Sequence, residues 1–106
     1  MNQLEAFVPV AKVSDFDDEE LISVEVDDEE IMLCQVEGKY YAINNICSHA
    51  HVELSDGELD GCFVTCPLHF SQFDVRTGEP QGPPAKDPVE TYEVLVVDDL
   101  IYIKPY

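Results

Sequence analysis

Positive charge is scarce in this chain. Five Lys and Arg stand against 23 Asp and Glu, a formal net charge of −18 at pH 7. Polyanions and anionic membrane surfaces repel such a protein, so nucleic acid and membranes are excluded as partners. No apolar run approaches the roughly eighteen residues that would span a bilayer. The first residues, MNQLEAFVPV, lack the basic start and apolar stretch of a secretory signal, so a cytoplasmic location is expected. A sustained helical period of apolar residues is also missing, as is any internal repeat. Helical bundles and solenoids drop out, leaving an all-β reading.

What is present is a succession of short apolar segments divided by turn signals. Strands are expected over Ala6 to Val8, broken by Pro9, then over Leu21 to Val26, Ile31 to Glu37 and Tyr40 to Ile43. Val13 to Phe16 reads as a turn, the acidic run 27–30 as a bend, and Glu37-Gly38-Lys39 as a tight hairpin turn. Ser55-Asp56-Gly57 and Asp60-Gly61 reverse the chain before strands over Cys62 to Thr65 and Gln72 to Val75, the latter closed by Arg76-Thr77-Gly78. Thr91 to Val97 and Leu100 to Lys104 form a last hairpin joined at Asp98-Asp99. With 106 residues the chain is expected to be one domain, 1–106.

Chemistry is concentrated in two short Cys/His pairs, Cys47-x-His49 and Cys66-x-x-His69, separated by residues 50–65. Thiolate and imidazole suit borderline-soft transition metals, so two such pairs in one small domain propose a metal centre. Together they supply two thiolates and two imidazoles, the set needed when two His replace two Cys on one iron of a two-iron two-sulfur cluster. The four cysteines, at 34, 47, 62 and 66, lack the Cys-x4-Cys-x2-Cys run of an all-cysteine plant-type cluster. A usual zinc finger pairs Cys with Cys and His with His, whereas each pair here is mixed. Zinc held by the same four residues in a structural or interaction module stays open. Cys34 and Cys62 fall within the expected strands and read as buried small hydrophobes.

These motifs, with Cys47-Ser48-His49, Cys66-Pro67-Leu68-His69, Phe73-Asp74, Thr77-Gly78 and Gly82-Pro83-Pro84, resemble those of Rieske-type ferredoxins, and the likeness covers essentially the whole length. It is nearest to the small ferredoxin components of bacterial ring-hydroxylating dioxygenase systems. The resemblance implies an antiparallel β-sandwich with a cluster-binding subdomain of two ligand loops over about residues 45–85. It implies one 2Fe-2S cluster, with Cys47 and Cys66 on one iron and His49 and His69 on the other. The implied role is to carry single electrons from a flavin-dependent reductase to a terminal aromatic-ring oxygenase. The chain is then no enzyme, since an oxygenase would need a further mononuclear iron site and only His51, read as a solvent-facing bystander, is left over. A rival within redox chemistry is the small subunit of a nitrite-reductase-like enzyme, which often lacks the ligands that are complete here.

Further expectations follow from the likeness. High-potential Rieske proteins carry an extra Cys in each loop, where this chain has Val52 and Leu68, and a Tyr where it has Phe73, although Ser71 is kept. A potential near the lower end of the Rieske range of roughly −150 to +300 mV is therefore expected. Phe70 replaces the glycine common after the second His, so its side chain must point outward or fill a gap beside the cluster. The proline-bearing loop 79–88 is expected to cover the cluster. The acidic runs read either as solvated turns, aids to solubility or a saline habitat, or as a field that steers the protein onto basic docking patches of its partners. Glu53, Asp56, Glu58 and Asp60 lie nearest the ligand loops. A monomer is expected.

Overall fold

The computed structural model describes residues 7–16, 20–26, 28–47, 52–67, 70–81 and 87–104. Among the described residues nine strands form two antiparallel sheets: β1 Val8–Lys12, β2 Leu21–Val26, β3 Glu29–Val36, β4 Lys39–Asn44, β5 Glu58–Asp60, β6 Phe63–Thr65, β7 Gln72–Asp74, β8 Thr91–Val97 and β9 Leu100–Lys104. The large sheet has the order β1-β9-β8-β4-β3-β2 and the small one β5-β6-β7. Only Ala42↔Tyr92 and Ile43↔Thr91 join β4 to β8. Around this narrow seam the large sheet folds on itself, and its two halves enclose Ile31, Leu33 and Ala42 from one side and Ile101 and Ile103 from the other. The expected all-β sandwich is thus the observed architecture.

Side-chain alternation explains why β3 sits at the centre. Ile31 and Leu33 face the sandwich core, while Met32 and Cys34 project from the opposite face into a second core that also holds Ile43, Leu54, Val64, Phe73 and Val75. A strand buried on both faces reads as an unbroken apolar run, here Ile31-Met32-Leu33-Cys34. Its neighbour β2 has one wet face: Ile22, Val24 and Val26 turn inward and Ser23 and Glu25 outward. The small sheet is thereby stacked on the outer face of β3 and β4.

Several boundaries differ from the sequence expectation. β1 runs through Pro9 rather than stopping there, because β1 is an edge strand that hydrogen-bonds only to β9, and the ladder shifts register between Pro9 and Ala11. Ala6 lies outside the described residues. Val13–Phe16 is a short 3-10 helix that buries Phe16 against Tyr40, ring centroids 5.5 Å apart. Glu29 and Glu30, expected in a bend, begin β3 and pair with Val26 and Glu25, with Asp28 at φ 69° just ahead of the strand. Glu37 and Gly38, at φ 51° and 81°, make the primed two-residue turn that matches strand twist. Cys62 is not in a strand: Gly61 and Cys62 are the turn between β5 and β6, so Cys62 is half-buried against the second core rather than enclosed. Val75 likewise falls just beyond β7, although it is buried.

Candidate metal centre

The second core converges on sulfur. Cys47 and Cys66 are 3% and 0% exposed, neither is in a disulfide, and both belong to the same apolar cluster as Cys34, Val64 and Phe73. Cys47 follows β4 and Cys66 follows β6, so each cysteine stands where a strand ends and a loop leaves. Two buried thiols in one apolar core, neither in a disulfide, fit a soft metal group of low net charge. Ser48, His49, His51, Leu68 and His69 lie outside the described residues, as does Gly82-Pro83-Pro84. The structure thus places the cysteine half of the predicted ligand set. No cluster of three metal-ligating side chains occurs among the described residues.

Each loop is pinched shut at its base. In the first, the Cys47 amide donates to the Val52 carbonyl (3.0 Å), and Ile46 bridges Glu53. Asn45, fully buried, is the keystone. Its amide donates to the Glu30 carbonyl (2.9 Å), its carbonyl accepts from Leu54 (2.6 Å), and its Oδ1 accepts from the Ser55 amide (2.8 Å). Asn44 Oδ1 accepts from the Ile46 amide (2.9 Å), an Asx turn that aims the chain into the loop. The sequence signal for Asn45 is the Asn44-Asn45 pair, separated from Cys47 by Ile46 alone.

In the second loop the Cys66 amide donates to the Ser71 carbonyl (2.7 Å), one step beyond the Thr65↔Gln72 pair of β6 and β7. The two loops are locked together by Gly57, where a Cβ would collide with the Thr65 carbonyl immediately before Cys66. Only glycine allows that approach. A third segment closes on β7: Asp74 accepts at its carbonyl from Gly78 (2.7 Å), Gln81 donates to the Gln72 carbonyl (2.8 Å), and Pro80 bridges Phe73. Gly78, at φ 79°, is pressed against the Val89 carbonyl, which returns the chain toward β8.

Charge is arranged around this core. Asp74 is buried and paired with Arg76 (2.9 Å), whose guanidinium hydrogen bond holds the carboxyl below its usual range while the pair raises Arg76. Glu53 goes the other way: its hydrogen bond with Glu30 and the adjacent negative charge push it up. Glu53 also accepts weakly from Asn45 Nδ2 (3.4 Å), so it serves the loop base, whereas Asp56, Glu58 and Asp60 are exposed. Burial pushes the Cys34 thiol up to about 12. Cys34 is therefore uncharged at neutral pH and a poor ligand, although it shares the core with Cys47 and Cys66. Phe70, beside the second pair, is 76% exposed and sits at φ 62°. Of the two expected placements, outward is the observed one.

Comparison with known proteins agrees with this geometry. Residues 6–93 match the Rieske [2Fe-2S] domain family. The chain is 35% identical over 98 residues to the ferredoxin component of the naphthalene 1,2-dioxygenase/salicylate 5-hydroxylase systems of Ralstonia sp., covering 92% of this chain and 94% of that protein. Its structure is similar to the ferredoxin of carbazole 1,9a-dioxygenase from Nocardioides aromaticivorans IC177, with TM-score 0.89 and 35% identity over 94% of this chain and 98% of that one. It also resembles, with TM-score 0.85 and 31% identity over 97% and 94% of the two chains, a chain in a complex of reduced oxygenase and oxidized ferredoxin in carbazole 1,9a-dioxygenase. These relatives favour the ferredoxin reading over a nitrite-reductase small subunit or a zinc module. The chain belongs to the Rieske 2Fe-2S family and, as a relative of dioxygenase ferredoxins, is an electron carrier with one two-iron two-sulfur cluster.

Proposed function

We propose that this protein carries single electrons from a flavin-dependent reductase to a terminal ring-hydroxylating oxygenase, with Cys47 and Cys66 holding the inner iron and His49 and His69 the outer one. The observation that carries the ligand assignment is the burial of two cysteines outside any disulfide in one core, at the closed bases of two loops. When bound, the cluster supplies a one-electron couple in the Rieske range. The residues of the chain do the rest. Cys47 and Cys66 hold their sulfurs in apolar surroundings that exclude water, and Asn45, Gly57 and Ser71 fix the loop bases. Loop bases fixed in this way favour the same ligand geometry in both redox states, which keeps electron transfer fast. The Cys34 thiol, kept neutral by burial, does not compete.

In this reading one domain covers residues 1–106, and residues of about 45–85 form the subdomain that holds the cluster. The protein works as a monomer in the cytoplasm, and no helix among the described residues is long and apolar enough to cross a membrane. The exposed carboxylates Asp56, Glu58 and Asp60 border the loops and steer the carrier onto basic docking patches of the reductase and oxygenase. Phe73, buried in the core, offers no hydroxyl where high-potential proteins have Tyr, and Val52, packed against that core, forms no disulfide; with Ser71 the one hydroxyl kept, the potential lies low in the Rieske range. The test is stopped-flow mixing of the reduced protein with an oxidised ring-hydroxylating oxygenase. One electron per chain should pass, at a rate that falls as salt is added; failure to reduce the oxygenase refutes the carrier role.

A further inference from the structure

The second loop carries an apolar side chain where the physics of folding offers no reason for one. Phe70 is 76% exposed, the most exposed large hydrophobic residue among those described, and its backbone is at φ 62°. Bulky side chains rarely adopt this left-handed conformation, and glycine would enter it freely. The backbone has no slack to escape it, because the next residue, Ser71, is buried and its carbonyl accepts from Cys66 at 2.7 Å. Pro67, at the near end of the same loop, is also exposed. An exposed phenyl in a strained conformation contributes nothing to the core, so its use lies outside the chain.

We infer that Phe70 is an apolar anchor that inserts into a recess of the terminal oxygenase and sets how long the two proteins stay together. The inference rests on the carrier role proposed above. A second copy of this chain is a poor occupant, since two proteins each of charge −18 repel. The oxygenase is the better one, because a solved ferredoxin and oxygenase complex contains a chain whose fold matches 97% of this chain and 94% of its own length. Phe70 directly follows His69, so a partner that takes an electron from the histidine side of the cluster must approach this loop. The labour is then divided. Exposed carboxylates bring the partners together from a distance, and one desolvated aromatic ring slows their separation.

The experiment compares cluster-loaded wild type, Phe70→Gly and Phe70→Leu. Binding of each to the oxidised terminal oxygenases of the carbazole, naphthalene and biphenyl dioxygenase systems is measured over a salt series, alongside midpoint potential and melting temperature. Phe70→Gly should weaken binding about tenfold at every salt concentration, through faster dissociation, and Phe70→Leu should weaken it less. The glycine variant should melt no lower than wild type and keep its potential. Unchanged affinity for Phe70→Gly overturns the anchor while leaving the carrier role intact. So does a shift in potential without loss of affinity, which would make Phe70 a cover for the cluster, or a loss confined to the reductase. Wild type that neither binds nor reduces any of the oxygenases overturns the carrier role and the anchor with it.

Discussion

One face of β3 and β4 meets β1, β2, β8 and β9 in a core of aliphatic and aromatic side chains; the other meets three-residue strands and loops in a core that contains Cys34, Cys47 and Cys66. The first core is built from strands of five to eight residues paired along their length. The second depends on β5, β6 and β7, each too short to be stable alone, and on loop bases tied by single hydrogen bonds. In the proposed assignment metal ligation completes it, because a group bound only by the folded form adds its binding free energy to folding. One core makes the domain, and the other makes the site.

The sharpest way to break that comparison is to remove sulfur selectively. Cys47→Ser or Cys66→Ser should abolish the visible spectrum and the bound iron. Cys34→Ser, in the same core, should keep both and cost about 1–3 kcal/mol for a buried hydroxyl. Loss of iron from the Cys34 variant would show that burial had not taken that thiol out of the ligand set.

Next in size are truncations placed one in each core. Ile101→Ala should cost about 2–5 kcal/mol in denaturant unfolding while the refolded protein retains its iron. Phe73→Ala should cost about 3–5 kcal/mol and also release iron, since it opens the core that holds both cysteines. Equal iron retention in the two variants would mean that the cores are one cooperative unit.

The smallest effects are in the pH dependence, and they have opposite signs. Asp74 is held below its ordinary range, so its pairing stabilises the fold above that range and is lost as pH falls through the lowered value. Asp74→Asn should therefore be less stable than wild type near neutrality, with the gap closing in acid. Glu53 is held above its ordinary range, so its charge is a burden at neutral pH that protonation relieves as pH falls. Glu53→Gln should match or exceed wild type at pH 7, the advantage fading in acid. Melting curves between pH 3 and pH 8, a window of about these carboxylate values and above, separate the two.

Much of this was legible in the sequence because strands announce themselves by pattern. Leu21–Val26, Thr91–Val97 and Leu100–Lys104 alternate or run apolar between turn signals, and the structure keeps those limits. The unbroken Ile31 to Cys34 run was the mark of a wall between two cores, though nothing in it says what lies on the second side. Pro9 misled because its cost depends on being at a sheet edge, which is a property of topology. Glu29 and Glu30 misled because composition suggested a bend while cross-strand pairing with β2 decided the matter. The two cysteines stood out as ligand candidates from motif alone. Asn45 and Gly57 were not, because their work is to satisfy backbone groups and to permit a contact between segments that only the fold brings together.

The account stands most directly on the two loops sharing one cluster over the sulfur-bearing core. Pulsed electron paramagnetic resonance of the reduced, purified protein, with iron and acid-labile sulfide determined on the same sample, tests it. The prediction is two irons and two sulfides per chain, with two imidazole nitrogens coupled to the unpaired electron. A spectrum without nitrogen coupling, or a sample that holds zinc and no sulfide after anaerobic reconstitution, would contradict it.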